Sequence, residues 1–189
     1  MIELKLLETT EEIMQVSSLN ALNLKTTLSQ EEKDSQGFLS WTYDVELLKG
    51  MNQINPSIIA KKGDEVVGYA LMASVEARSF HKELDLLLEK IEGFNYRGKK
   101  LSEYSFYMIG QLCVAKAYRG FGLTDRMYAF HEQQYSEKFD LMATTVVLEN
   151  VRSIRVHERA GFETISEIED HFGNWRVIVK PFLSRPCWG

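Results

Sequence analysis

The chain has 189 residues and two cysteines, Cys113 and Cys187, too few for a disulfide framework; a reducing cytoplasm is the plain reading. No apolar run approaches the ~20 residues needed to span a bilayer, so no membrane partner is expected. The N-terminal run Met1-Ile-Glu-Leu-Lys-Leu-Leu-Glu8 carries early acids and no small-residue cleavage site, unlike a secretory signal. A basic face is missing too: the formal net charge of −5 argues against nucleic-acid binding and is compatible with a cationic partner. Repeats and low-complexity tracts are absent, and no metal is expected.

What is present is an ordinary globular composition, 44% apolar and 26% charged, at a length suited to one domain spanning residues 1–189. Ile2 to Leu7 alternates like a half-buried first strand. Thr9 and Glu12 have capping-box spacing, with Ile13, Val16 and Leu19 on one helical face behind them. Lys25 to Gln36 is polar and reads as a mobile stretch, and Asp44 to Asn52 as a short helix after the aromatics Phe38, Trp41 and Tyr43. Two strands flank Lys62-Gly63-Asp64 as a hairpin. Residues 79–92 read as an inserted helix and 93–104 as its return loop. Phe106 to Val114 and Leu141 to Leu148 are apolar strands separated by a helix that runs to about Glu137. Asn150 suits the N-cap of the next helix and Gly161 its stop. Glu163 to Glu169 and Trp175 to Phe182 close the chain as an antiparallel pair around Phe172-Gly173-Asn174. This order predicts an α/β (α+β) domain around a mixed sheet.

The most informative run is Gln111-Leu-Cys-Val-Ala-Lys-Ala-Tyr-Arg-Gly-Phe-Gly-Leu123. A strand enters an Arg-Gly-Phe-Gly turn and a helix begins at once, which leaves backbone N–H groups without internal partners facing whatever lies before the helix. Gly120 and Gly122 remove the Cβ atoms from that approach. Arg119 adds a planar fork of donors suited to phosphate oxygens. A phosphorylated ligand is expected. The dinucleotide fingerprint does not close, because Asp125 stands where its third glycine belongs. Gly93 to Lys100 misses a Walker A loop, because Lys100 replaces the magnesium-ligating hydroxyl and a helical pattern precedes it.

The hexapeptide Arg119-Gly-Phe-Gly-Leu-Thr124 resembles the (Gln/Arg)-x-x-Gly-x-(Gly/Ala) signature of the GNAT N-acetyltransferases. Asn150-Val-Arg-Ser-Ile-Arg-Val-His-Glu-Arg-Ala-Gly161-Phe162 is similar to that family's Asn-x-x-(Ala/Ser)-x-x-x-Tyr-x-x-x-Gly-Phe. The resemblance covers the chain from about Ile54 onward. It implies the GNAT fold: a mixed sheet of about seven strands whose central parallel strands splay apart, flanked by helices.

The resemblance further implies acetyl-coenzyme A as co-substrate and a primary amine, small molecule or peptide, as acceptor, with direct attack and no acyl-enzyme. Backbone groups of Leu112, Cys113 and Val114 would pair with the pantetheine, and residues 119–124 (Arg119, Gly120, Phe121, Gly122, Leu123, Thr124) would cradle the pyrophosphate. Asn150, beside its N-cap role, would contact the pantetheine amide or the thioester side as a catalytic residue, and Ser153 would contact the cofactor. His157 stands where the family has a tyrosine, and as an imidazolium would be the acid that protonates the departing thiolate; it equally fits a packing histidine. Thr124 and Asp125 depart from the pattern beside the phosphates. A general base is not evident: the positions that often carry a glutamate hold Met108 or Gly110, leaving Glu103, Tyr107, Glu149, His81 or a water chain. Cys113 reads as structural filler. The insertion at 79–104 would lie over the acceptor side as a lid, and a homodimer is compatible. Rival readings are transfer of a longer acyl group, decided by the volume beside Leu112 and Asn150, or a catalytically weak acyl-coenzyme A sensor; a nucleotide-binding module is the remotest.

Overall fold

Strand β1 (Glu3–Leu6) and helix α1 (Thr10–Leu22) open the chain, followed by α2 (Gln30–Gln36) and α3 (Val45–Ile54). The hairpin β2 (Ile58–Lys62) and β3 (Glu65–Ser74) turns at Gly63. Then come α4 (Lys82–Ile91), a small hairpin of β4 (Asn95–Tyr96) and β5 (Lys99–Lys100), β6 (Phe106–Val114) and α5 (Leu123–Tyr135). Strand β7 (Leu141–Val147), helix α6 (Val151–Arg159), β8 (Glu163–Asp170) and β9 (Gly173–Pro181) complete it. This is a computed structural model, and it describes residues 1–170 and 173–182; Cys187 and the expected turn residue Phe172 lie outside them. Seven strands form one mixed sheet in the order β1-β2-β3-β6-β7-β9-β8, as expected of the GNAT fold. No helix among the described residues is long and apolar enough to cross a membrane.

The sheet buries a core on each face. One lies under α1, α3 and α4 and includes Ile13, Val16, Leu48, Met51, Leu84 and Leu88. The other lies under α5 and includes Leu123, Met127, Tyr128 and Tyr135. The expected capping box at the head of α1 is present, since the Thr9 hydroxyl accepts from the Glu12 N–H and the Glu12 carboxylate accepts from the Thr9 N–H.

At the centre of the sheet, β6 and β7 run parallel but pair only from Phe106 to Met108 with Leu141 to Ala143. Beyond that they part. A bulge accompanies the parting: against β3, Leu71 pairs with Gln111 and Met72 with Ile109, leaving Gly110 as an extra residue. The bulge swaps the two faces of β6. Phe106 and Met108 point to the α1 core and Ile109 to the α5 core, and past Gly110 it is Cys113 that faces α1 while Leu112 and Val114 face α5.

Two expectations are corrected. Lys25 to Gln36, read as a polar, mobile stretch, carries α2, nucleated by a second capping box between Ser29 and Glu32. The return loop at 93–104 contains the hairpin β4–β5 and a 3₁₀ turn at Leu101–Glu103.

Glu12 also acts as a tertiary anchor. It is 3% exposed, and its carboxylate receives Lys5 Nζ at 3.0 Å and Lys61 Nζ at 3.1 Å. Burial pushes its carboxyl up, but the two lysines and the N–H groups of Glu8 and Thr9 outweigh that and hold its pKa at about 2. His131 is buried and neutral, with its pKa driven down to about 3 by burial. Its Nε2–H donates to the Ala70 carbonyl and its Nδ1 accepts from the Tyr107 hydroxyl. Both groups hold fewer protons folded than unfolded at acid pH, so each lends stability that is lost as pH falls. The urea midpoint is expected to drop from below pH 6.5 for His131 and from below 4.5 for Glu12. A Glu12→Gln variant should lose about 2–3 kcal/mol at pH 7 and show a shallower decline below pH ~4.5, measured by urea titration across pH. An acid-insensitive wild-type midpoint would contradict both assignments.

Candidate active site

The Arg-Gly-Phe-Gly turn places Gly120 at φ 86° and Gly122 at φ 69°, left-handed backbone that strains any other L-residue. Gly122 is the N-cap of α5, and the first helical hydrogen bond runs from Arg126 N–H to its carbonyl at 3.1 Å. The N–H groups of Leu123, Thr124 and Asp125 therefore have no carbonyl within the helix. They open on a cleft of about 660 Å³ between this turn, the end of β6 and the face of α6. Leu112, Cys113, Val114, Arg119, Gly120, Gly122, Leu123, Thr124, Asn150 and Ser153 all line it. Phe121 does not; it stands 77% exposed at the tip of the turn.

Opposite the turn, α6 presents Arg152, Arg155 and Arg159 to the same cleft. Their i, i+3, i+7 spacing, which puts them on one side of the helix, is the sequence signal for this basic face. Arg159 reaches Asp125 at 3.4 Å, which balances the carboxylate nearest the helix N-terminus.

Arg119 has a different task from the one its sequence position implies. Its Nε donates to the Val114 carbonyl (2.7 Å), Nη2 to Asn23 Oδ1 (2.6 Å) and Nη1 to Gln36 Oε1 (3.3 Å). The fork is spent on protein oxygens. It holds down a strap, residues 23–43, that crosses the gap between the parted strands. On the far side Asn150 Nδ2 donates to the Phe38 carbonyl (3.0 Å) and Arg152 Nη1 to the Ser35 carbonyl (3.0 Å). Asn150 also caps α6, its Oδ1 accepting from Ser153 N–H at 3.2 Å. A Cβ on Gly37 would sit 2.8 Å from that oxygen, so only glycine lets the strap approach so closely.

Past Leu112, Asn150 and Ser153 the cleft meets an inner pocket of about 100 Å³, which passes between the parted strands toward the α1 face. His157 lines it. The ring is 4% exposed, and Nδ1 lies 2.7 Å from the Ser153 carbonyl, which can only accept, so the proton is on Nδ1 and Nε2 keeps its lone pair. Burial outweighs that hydrogen bond and lowers the pKa to about 4. The imidazolium donor expected near neutrality is thus corrected to a neutral ring with an accepting Nε2.

The remaining base candidates lie elsewhere. Tyr107 is in the α5 core, Glu103 is exposed and accepts from Lys100 N–H, and Glu149 is exposed and pairs with Lys25. His81 stacks on Trp41 with centroids 5.6 Å apart. The Tyr43 hydroxyl donates to the Gly110 carbonyl at 3.2 Å and would lie 2.9 Å from a Cβ there, so the bulge has no room for a carboxylate. Cys113 is buried, its thiol pushed up to about 12 by burial, as befits filler.

Comparison with known proteins follows the same lines. The model of the acetyltransferase (GNAT) family matches residues 25–162. No curated protein matches the chain in sequence. Among solved structures, a NatC complex bound to Gag peptide and CoA matches with 16% identity and a TM-score of 0.65, covering 95% of this chain and 98% of that one. YncA, a putative acetyltransferase from Salmonella typhimurium with its cofactor acetyl-CoA, gives 14% identity and 0.64, covering 98% and 96%. Arabidopsis thaliana Naa50 with the bisubstrate analogue CoA-Ac-MVNAL gives 17% and 0.62, covering 96% and 99%. At these identities the likeness is one of fold.

The strap carries its own test. Arg119→Ala removes three charged hydrogen bonds, so amide exchange over residues 30–38 should accelerate at least about tenfold while β3 and β6 stay protected. Unchanged protection of the strap would show that Arg119 does not hold it.

Proposed function

Because the chain belongs to the acetyltransferase (GNAT) family, we propose that it moves the acetyl group of acetyl-coenzyme A to the nitrogen of a primary amine within a ternary complex. The observation that carries the reading is the parting of β6 and β7 directly behind the free N–H groups of α5. The residues fit the co-substrate. Leu123, Thr124 and Asp125 offer N–H groups and a helix N-terminus to a pyrophosphate, and Arg155 and Arg159 add charge across the cleft. The edge of β6 beyond Met108 lacks a strand partner on the β7 side, which suits an extended pantetheine from Leu112 to Val114. The NatC and Naa50 structures hold peptide or peptide-like acceptors, so an amine on a peptide is as compatible with this fold as a free one.

Acetyl-coenzyme A supplies an activated thioester. The chain's part is to align, polarise and move protons. Backbone N–H groups at the end of β6 polarise the carbonyl, an effect of about 100-fold or more for one well-aimed donor. The amine reacts as the free base, its ammonium proton left to solvent, and its nitrogen forms the C–N bond as the C–S bond breaks. Nε2 of His157, unprotonated at neutral pH, takes the proton that the nitrogen loses and passes it to the departing sulfur, which leaves as a thiol. His157 then serves as a base first and a donor second, without carrying a resting charge.

Calorimetric titration with acetyl-coenzyme A should show binding to the wild type and none to Gly122→Asp, with ATP and NAD silent. Absence of binding to the wild type would end the transfer reading. Since a folded-state pKa of about 4 leaves His157 neutral throughout the working range, kcat/KM should show no inflection near 6.5 from this ring. His157→Phe should lower kcat about 100-fold with acetyl-coenzyme A affinity little changed. An unaltered kcat in that variant would make His157 a packing residue against Tyr128 and Phe162.

A further inference from the structure

The inner pocket is built from both faces of the chain. Its cofactor side is Leu112, Asn150, Ser153 and His157, shared with or adjoining the cleft. Its far side is the apolar group Trp41, Leu84, Leu87 and Trp175, all belonging to or packed against the α1-face core, away from the α5-face core that packs around the phosphate turn, while Phe38 lines both pocket and cleft. No Asp, Glu, Lys or Arg is among the described residues that line it.

Leu84 and Leu87 come from the insertion, and its attachment is specific. Arg97 pairs with Glu163 at 2.8 Å and Lys90 Nζ donates to the Glu169 carbonyl at 3.2 Å, tying it to β8. Trp41 comes from the strap, its carbonyl held by Asn20 Nδ2 (3.0 Å) and Gln111 Nε2 (2.9 Å) and its ring stacked on His81 of the insertion. Strap and insertion therefore join over the pocket and fix its apolar wall. Ser40, next to Trp41 on the strap, also lines the pocket and is exposed.

We propose that this wall selects the acceptor, and that the acceptor is a primary amine whose neighbouring carbons carry an apolar group, such as a branched alkyl or aryl side chain. A wall without counter-charge receives such a group favourably, because its apolar surface leaves water. A second ammonium placed there loses its hydration and finds no carboxylate to replace it. Diamines and polyamines are therefore poor acceptors. The proposal rests on the transfer reading and adds a substrate class to it.

The test uses the full chain with acetyl-coenzyme A and follows coenzyme A release. 3-Methylbutylamine and 2-phenylethylamine are compared with 1,4-diaminobutane, and a Leu-Gly-Gly peptide supplies the same side chain on a peptide amine. The apolar acceptors should exceed the diamine at least about tenfold in kcat/KM, the range one or two apolar groups can produce. Which of the free amines or the peptide leads identifies the source of the apolar group. Leu87→Asp should reverse the ranking, and Leu87→Gln, a milder change, should narrow it. Calorimetry of 3-methylbutylamine with wild type saturated in coenzyme A should show binding that Leu87→Asp weakens.

A flat ranking, or a preference for the diamine, overturns the proposal while release with any amine leaves the transfer reading standing. A wild type that uses butyryl- in preference to acetyl-coenzyme A, with Leu87 variants changing acyl rather than amine choice, overturns it in favour of an acyl-tail pocket. Failure to bind acetyl-coenzyme A removes both readings together.

Discussion

The proposed transfer depends on the unpaired backbone created where β6 and β7 separate. In a sheet centre such a gap is costly, because buried N–H and C=O groups without partners lose their hydration for nothing. The structure contains the damage at its apex, where the Thr144 hydroxyl donates to the Ile109 carbonyl at 2.8 Å and fills the first position past the last ladder pair. Farther out, the proposed pantetheine would supply the strand-like groups that this edge lacks. The bulge at Gly110 cooperates by turning Leu112 and Val114 toward the α5 face, where the cleft lies.

The gap would not hold its shape without the buried amides behind it. Gln111 Oε1 receives both Asn20 Nδ2 and the Tyr69 hydroxyl at 2.6 Å, while Asn20 Oδ1 receives Tyr43 N–H at 3.1 Å. These groups connect α1, β3, β6 and the strap in one satisfied network, so that displacing any one leaves the others buried and unpaired. Sequence spacing gives no hint of it: Asn20 and Gln111 are far apart in the chain, and each reads as an ordinary polar residue. The same holds for Tyr43, whose hydroxyl closes the bulge where a carboxylate was sought.

The strong local signals were legible beforehand. The capping residues Thr9 and Asn150, the strand–turn–helix around Gly122 and the buried strand from Leu141 all act within a few residues of themselves, and all stand where their patterns put them. The Ser29–Glu32 box is as local as these; it was hidden by the polarity of its surroundings, since α2 buries no residue and owes its place to the strap's outward bonds. What lay out of reach was direction. A motif places Arg119 and His157 near the ligand, but tertiary contacts turn the guanidinium to Asn23 and Gln36, and a bond one turn back along α6 sets the imidazole proton toward Ser153.

The neutral histidine and the chargeless pocket are two sides of one electrostatic choice. A carboxylate base in this pocket would need a buried counter-ion to stay ionised, and a resting imidazolium would repel the ammonium form of an arriving amine. An imidazole that stays neutral by burial incurs neither penalty, yet keeps one lone pair for a proton that appears only during reaction. In the proposed transfer the cost is a weak base, tolerable because the proton would come from a nitrogen made strongly acidic by forming its bond to carbon. The Nδ1–H donated to the Ser153 carbonyl orients the ring and would stabilise positive charge while that proton is in transit.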